Sequence, residues 1–253
     1  MPAQATHYEF GKQVFDLLEP PVRRRLSQHR HAYDMGQQGA DIFFFYQYNA
    51  ANPVNDYGEK IHAESAASHF ARVIPAARGD EEATAYLAGL ACHYTLDSIC
   101  HPYVYEKSVA PGMHSVMEAA LDAFIMEKFG VKKKRWELLP VESLRYDSIS
   151  KLWPDMQREI VRDSALRMRS SMKKLDFWGR FVFTAPEKRV KPAAIMLPKK
   201  LRYNTIEDLG ALSPLFDRAV GEGPANVMAI LEAVDHPDKP LKGFELNYKG
   251  DKV

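Results

Sequence analysis

Cysteine is scarce in this 253-residue chain: Cys92 and Cys100 are the only two. Eight residues apart on one helix, they would stand about 12 Å from each other, beyond the roughly 7 Å between Cα atoms that a disulfide spans. The sequence therefore excludes a disulfide framework and predicts two free thiols, as in a reducing cytoplasm. Long apolar runs are also missing. No stretch approaches the roughly 18 residues of a membrane span. The opening MPAQATHYEF lacks the basic and apolar regions of a secretory signal, so the expected location is cytoplasmic. An excess of one charge is absent too, with 34 Lys and Arg against 33 Asp and Glu. That balance implies neither wholesale nucleic-acid binding nor general attraction to a membrane, and leaves only local basic runs as binding patches. Repeats, low-complexity tracts and long Gly/Pro linkers are lacking, and alternating runs of strand type are rare.

What the chain does have is apolar residues, at 46%, and helical periodicity. Helices are expected from near Glu9 to Leu18, ended by Glu19-Pro20-Pro21, then over Val22 to Gln28 and around Asp34 to Gln38. Gly39-Ala40-Asp41 turns the chain into the aromatic run Phe43 to Tyr46. Further helices are expected over Tyr57 to Ala77, Glu81 to Cys100 and Met113 to Phe129. The run Lys132-Lys133-Lys134-Arg135 reads as a solvated turn. Pro154-Asp155 opens a helix whose Met156, Ile160, Met168, Met172 and Leu175 form a core stripe. Ser213-Pro214 is an N-cap pair, Gly221 to Pro224 breaks that helix, and Pro237 to Val253 looks extended and polar. The fold class is all-α. One domain spans 1–253, with chemistry-bearing residues in about 1–130 and a helical C-terminal portion over about 131–253.

The informative segment is Leu87 to Pro102. His93, Asp97 and His101 recur every four residues, which puts them on one face of a helix, each turned by about 40° from the last. Their neighbours Leu87, Leu90, Ala91, Leu96 and Ile99 are apolar, so the helix is buried. Three ionisable groups in a row on a buried helix are costly unless paired. A divalent cation satisfies imidazole nitrogen and carboxylate oxygen together. His101 precedes Pro102, which tends to end a helix there. The next helix adds His114 and Glu118, again four apart, with Asp122 one step on. His62 and Asp41 lie on earlier elements, and His7 near the start. His29, His31, His69 and His236 do not join the pattern, although His69 is placed to support it.

Several other chemistries lack their residues. An adjacent His-Asp dipeptide is missing, as are Cys-x-x-Cys and His-Glu-x-x-His. Glu59-x-x-His62 has no second copy, so a paired-motif di-iron site is excluded.

In this order, His7, Asp41, His62, His93-x-x-x-Asp97, His101 and His114-x-x-x-Glu118 resemble the ligand series of the bacterial zinc-dependent phospholipase C family, which shares a helical fold with S1/P1-type nucleases. The resemblance covers roughly the first 130 residues. It implies a multi-helix bundle of phospholipase C/P1 nuclease type with two or three zinc ions. Asp41, His62, His93 and Asp97 would hold one zinc, and His101, His114 and Glu118 a second. Asp97 and His7 would reach toward a third. That third site uses an N-terminal tryptophan in the family, and no tryptophan stands near the start of this sequence. The resemblance further implies a phosphoester substrate, phospholipid included, hydrolysed by metal-activated water with Asp41 as proton acceptor. Ile42 follows Asp41 where the phospholipases carry a choline-binding aromatic, so choline specificity is not carried over. A nuclease-like phosphodiesterase of the same fold and a non-catalytic metal-binding helical protein are the alternatives. Nothing in the sequence indicates nucleic acid as partner, and oligomeric state is not encoded in any motif.

Overall fold

The computed structural model describes residues 3–47, 50–109, 113–179 and 206–253, with side chains from 209 onward in the last stretch. Helices follow one another throughout: α1 Gln4–Leu17, α2 Pro20–Ser27, α3 Arg30–Gly36, a 3-10 turn at Gly39–Phe45, α4 Pro53–Ala63, α5 Ala66–Ala77, α6 Glu81–Lys107 and α7 Met113–Lys128. Short 3-10 turns and α8 Tyr146–Ile149 lead to α9 Arg158–Gly179 and α10 Ile206–Asp235. Among the described residues the only extended pairing is an isolated bridge between Leu246 and Lys252. The fold class is all-α.

α6 is the axis of the structure. Asp80 caps it by accepting from the Ala83 amide, and Glu81 and Glu82 complement its N-terminal dipole. From Glu82 to Ser98 every residue is buried, as expected for a helix enclosed on all sides. α3 and α10 lie along it, with α1 and α5 beside them. α3 approaches closely because two glycines face each other. A Cβ on Gly89 would fall 2.1 Å from the Tyr33 carbonyl oxygen, and one on Gly36 would fall 2.1 Å from that of Tyr86. α10 presents Leu209, Leu212, Phe216, Ala219, Val227, Ile230 and Val234 as one buried stripe.

Several elements differ from the sequence expectation, each for a physical reason. α6 does not stop at Pro102 but continues to Lys107. α10 likewise runs through Pro214, Gly221 and Pro224. The burial of its stripe offsets the roughly 3 kcal/mol that an internal proline costs. Gly223 faces inward against Val14 and Phe10. The helix expected over Tyr57 to Ala77 is two, broken where Glu64 takes an extended conformation and Ser65 caps α5. The first free amides of α5 are also capped from far along the chain, Ala66 by the Leu246 carbonyl and Ala67 by that of Phe244. The tail is therefore anchored rather than loose, and Phe244 and Tyr248 are fully buried. The helix expected to open at Pro154-Asp155 starts at Arg158, after a turn that holds Met156; the stripe is core, with Met168, Met172 and Leu175 of α9 buried and Met156 and Ile160 half-buried. The basic run divides, since Lys132 to Lys134 are exposed and Arg135 is completely buried. Both cysteines are free and buried.

Two helical glycines predict opposite outcomes. Gly89→Ala is expected to lower the unfolding free energy by about 2 kcal/mol or more, because backbone must move. Gly210→Ala, whose Cβ meets nothing within 4 Å, is expected to raise it by about 0.5–1 kcal/mol. Urea unfolding midpoints check both, and equal midpoints would refute the close-packed α3/α6 crossing.

Candidate metal centre

The eight sequence-selected residues converge from five elements. His7 comes from α1, Asp41 from the 3-10 turn, and His62 from α4. His93, Asp97 and His101 come from α6, and His114 and Glu118 from α7. Seven are buried and His114 is partly open, its side chain 22% exposed. Asp97 is the hub. Its Oδ1 lies 3.3 Å from His7 Nε2, and its Oδ2 lies 3.2 Å from His93 Nε2, 3.8 Å from His62 Nε2 and 3.7 Å from His101 Nδ1. Asp41 Oδ1 is 3.2 Å from His62 Nε2. Glu118 Oε1 stands 3.0 Å from His114 Nε2 and 3.6 Å from His101 Nε2. Three groups emerge, each with its ligand atoms within 4.8 Å of one another: Asp41/His62/His93, His7/His93/Asp97 and His101/His114/Glu118. His93 is shared by the first two.

The imidazoles are oriented from behind by backbone carbonyls. Nδ1 of His62, His93 and His101 lies 2.8, 3.0 and 2.8 Å from the carbonyl oxygens of Gly58, Gln37 and Tyr248. A carbonyl only accepts, so each Nδ1 carries the proton and each Nε2 offers a lone pair to the centre. Nε2 of His62 and of His93, and Oδ2 of Asp97, make no hydrogen bond although all are buried. Burial pushes the His93 pKa down to about 3, so that ring is neutral at neutral pH. For Asp41, Asp97 and Glu118 burial alone would raise the carboxyl pKa, yet nearby positive charge, including that of the neighbouring imidazoles, outweighs it and holds all three below the usual carboxylate range. The centre thus gathers carboxylate oxygens and imidazole nitrogens at 3.2–3.8 Å. A divalent cation satisfies such a set, and the donors, imidazole and carboxylate, suit zinc.

Local structure fixes these positions. Gly39 has φ +52, and a Cβ there would sit 2.2 Å from His93 Cδ2. Only glycine can adopt this turn against that ring. α9 packs on the same 3-10 turn and so backs Asp41. The aromatic run on this turn is mostly core: Ile42, Phe43 and Phe45 are buried, while half-buried Phe44 stands 5.4 Å from the His62 ring. α1 begins at Gln4, five residues before the expected start, because Asp122 on α7 caps it. Asp122 Oδ1 accepts from both the amide and the hydroxyl of Thr6 at 2.9 Å. Behind Asp122, Arg135 Nη1 lies 3.6 Å from its Oδ2, and Arg135 Nη2 lies 2.7 Å from Asp176 Oδ1. This buried chain holds His7.

Sequence reasoning missed Tyr248, Asp122 as a cap, and Arg135. Tyr248 lies 5.5 and 5.7 Å from the His62 and His93 rings, and its hydroxyl is 3.1 Å from His69 Nδ1. The signal available was two aromatics, Phe244 and Tyr248, in an otherwise polar tail. Of the histidines left aside, His29 and His31 gather at Glu82. That carboxylate already accepts from the Arg145 amide at 2.7 Å and from its guanidinium, and His31 is 3.2 Å away. The group is satisfied without an ion, unlike the central one.

The model of the family described as zinc dependent phospholipase C matches residues 6–174, about two thirds of the chain. No curated protein and no solved structure matches.

His69 supplies a test on metal-stripped protein. Burial lowers its pKa to about 3, against an ordinary value near 6.5. The folded state therefore resists protonation, and stability present above about pH 6.5 is lost as pH falls toward 3. His93 acts in the same direction. His69→Gln is expected to flatten this loss measurably, by on the order of a few kcal/mol across the window. Urea unfolding between neutral and acid pH measures it, and parallel pH profiles for variant and parent would refute the linkage.

Proposed function

Since the chain belongs to the zinc-dependent phospholipase C family, a family of phosphoesterase type, we propose that it hydrolyses a phospholipid phosphodiester. Water adds to phosphorus, the bond from phosphorus to the glycerol oxygen breaks, and diacylglycerol and a phosphorylated head group leave. The carrying observation is the set of converging lone pairs in a buried centre, with Nε2 of His62 and His93 and Oδ2 of Asp97 lacking any hydrogen bond. The residues assigned to zinc are His7, Asp41, His62, His93, Asp97, His101, His114 and Glu118. Zinc, when bound, supplies Lewis-acid charge for a phosphoryl oxygen and brings a water molecule's pKa toward neutrality.

The chain's own residues do the rest. Backbone carbonyls of Gly58, Gln37 and Tyr248 fix the tautomers and aim of three imidazoles. Asp41 is buried and held ionised, so it can take a proton from attacking water at its carboxylate. Access is from the α7 side, where His114 is partly exposed and Tyr105, 44% exposed, stands 4.9 Å from its ring. An open, partly exposed group of this kind suits catalysis better than a closed structural site.

Elemental mass spectrometry on the intact protein is expected to find two or three zinc ions per chain, held by the three central His/carboxylate groups, two of which share His93. Glu118→Ala touches one group and His93→Ala two, so the histidine variant is expected to lose more metal. Equal loss, or none, would sink the assignment. Asp41→Asn separates holding metal from moving a proton. Turnover of a phosphatidylcholine or phosphatidylglycerol substrate is expected to drop by roughly 10²–10⁴, while zinc content falls less than in His93→Ala. Unchanged turnover would remove Asp41 from the proton-accepting role.

A further inference from the structure

Away from the metal centre, one surface joins exposed aromatic rings to local positive charge in a chain whose formal net charge is only +1. At the end of α9, Phe177 and Trp178 are 47% and 56% exposed. They border a shallow groove of about 400 Å³, shared with Lys134, Trp136, Lys173 and Lys174. Lys132 and Lys133 extend the exposed basic edge. The nearest carboxylate, Asp176, does not offset these charges. It faces inward and binds Arg135 through the amide at 3.2 Å, Nε at 2.8 Å and Nη2 at 2.7 Å. Exposed Glu137 caps the Lys134 amide, and exposed Glu142 is paired with Arg169. Among the described residues, five lysines therefore stand around two large apolar rings.

We propose that this surface docks the protein on an anionic phospholipid bilayer, with Phe177 and Trp178 entering the headgroup region and the lysines facing the anionic heads. Indole rings settle at that depth because one edge is apolar and the other can hydrogen-bond. Lysine stems lie along apolar surface while their ammonium groups reach the phosphates. Each lysine near an anionic surface strengthens binding severalfold. A single-stranded nucleic acid fits less well. The Phe177 and Trp178 rings meet edge to face, at 87°, so they form no parallel platform for successive bases. Trp136 is already covered by Arg169 and Lys173, 5.4 and 5.1 Å from its ring centre. The inference rests on the phospholipid reading above, to which it adds the physical form of the substrate, an aggregated anionic surface rather than dissolved lipid.

The test is co-sedimentation of the intact protein with vesicles of phosphatidylcholine alone and of phosphatidylcholine mixed with phosphatidylglycerol. Trp178→Ala and the double variant Lys173→Glu/Lys174→Glu are run beside it, with circular dichroism to establish that each folds. The parent is expected to pellet with the mixed vesicles, weakly with the neutral ones, and less as salt rises. Each variant is expected to lose affinity for mixed vesicles by about tenfold or more, while keeping turnover of a dissolved phosphodiester. Three results would overturn the proposal: no preference of the parent for anionic vesicles, variants that bind as the parent does, or a parent that prefers a single-stranded oligonucleotide and loses that binding in the lysine variant. Binding is read without turnover, so failure to hydrolyse any phosphodiester would remove the proposed activity and leave the docking result standing.

Discussion

A buried carboxylate surrounded by four imidazoles is the constraint on which the rest of the structure depends. Asp97 lies within 3.8 Å of nitrogens from His7, His62, His93 and His101. An ionised carboxylate in a protein interior costs several kcal/mol unless it is compensated. Protons supply part of the compensation: Asp97 and Glu118 outweigh burial and raise the His101 pKa, whereas burial drives the His93 pKa down to about 3, so that ring withholds its proton. What remains is a pocket of negative and lone-pair character that a divalent cation resolves at once. A metal bound in such a pocket would couple to folding, because the unfolded chain does not assemble these donors.

The geometry of α6 explains why there is more than one group of ligands. Four residues advance a helix by about 6 Å and turn it by about 40°. His93, Asp97 and His101 thus share a face yet spread over about 12 Å, too far for one ion to reach both histidines. His93 falls in with Asp41, His62 and His7, and His101 with His114 and Glu118. Asp97 stands between and faces both sides. The elements around α6 serve this ruler. Gly36 and Gly89 let α3 close in, which brings the Gln37 carbonyl onto His93 Nδ1. α9 supports the turn bearing Asp41. The tail, tied to the first turn of α5 by two hydrogen bonds, delivers the Tyr248 carbonyl to His101.

Much of this was legible in the sequence because the chemistry is carried by local spacing. Two pairs four residues apart, and a third histidine four beyond the first pair, identify the ligand face of α6 and of α7 without any knowledge of packing. The residues that orient those ligands were not legible, for a physical reason: they act through backbone atoms or buried ion pairs, and some come from far along the chain, as Tyr248 does to His101. Tyr248 contributes a carbonyl, which any residue type could supply. Arg135 sits in a run of four basic residues and differs from its neighbours only in being buried against Asp122 and Asp176. Helix limits failed in the same way. Local signals end α6 at Pro102 and break α10 at Pro214 and Gly221, yet both helices run through, α10 on the burial of its apolar stripe. Conversely α4 and α5 separate at Glu64 and Ser65, where the tail supplies caps that no local window contains.

The character of the orienting groups bears on what the centre can bind. Three histidines donate from Nδ1 to neutral backbone carbonyls rather than to carboxylates. A carboxylate behind each ring would add negative charge and make the imidazole a stronger donor. Here the negative charge near the ions comes from Asp41, Asp97 and Glu118 alone, and all three are held ionised. Two divalent ions against three carboxylates leave a net charge of about +1, and three leave about +3. A phosphodiester carries one negative charge and gains more as water adds to phosphorus. On the proposed reading, a centre with such a surplus of positive charge would attract a phosphodiester and stabilise the transition state more than the ground state, which is the condition for catalysis rather than mere binding. The choice of carbonyls behind the rings preserves that surplus. It makes the carbonyls that hold the imidazoles, invisible in the sequence, as much a part of the proposed chemistry as the ligands that the sequence displays.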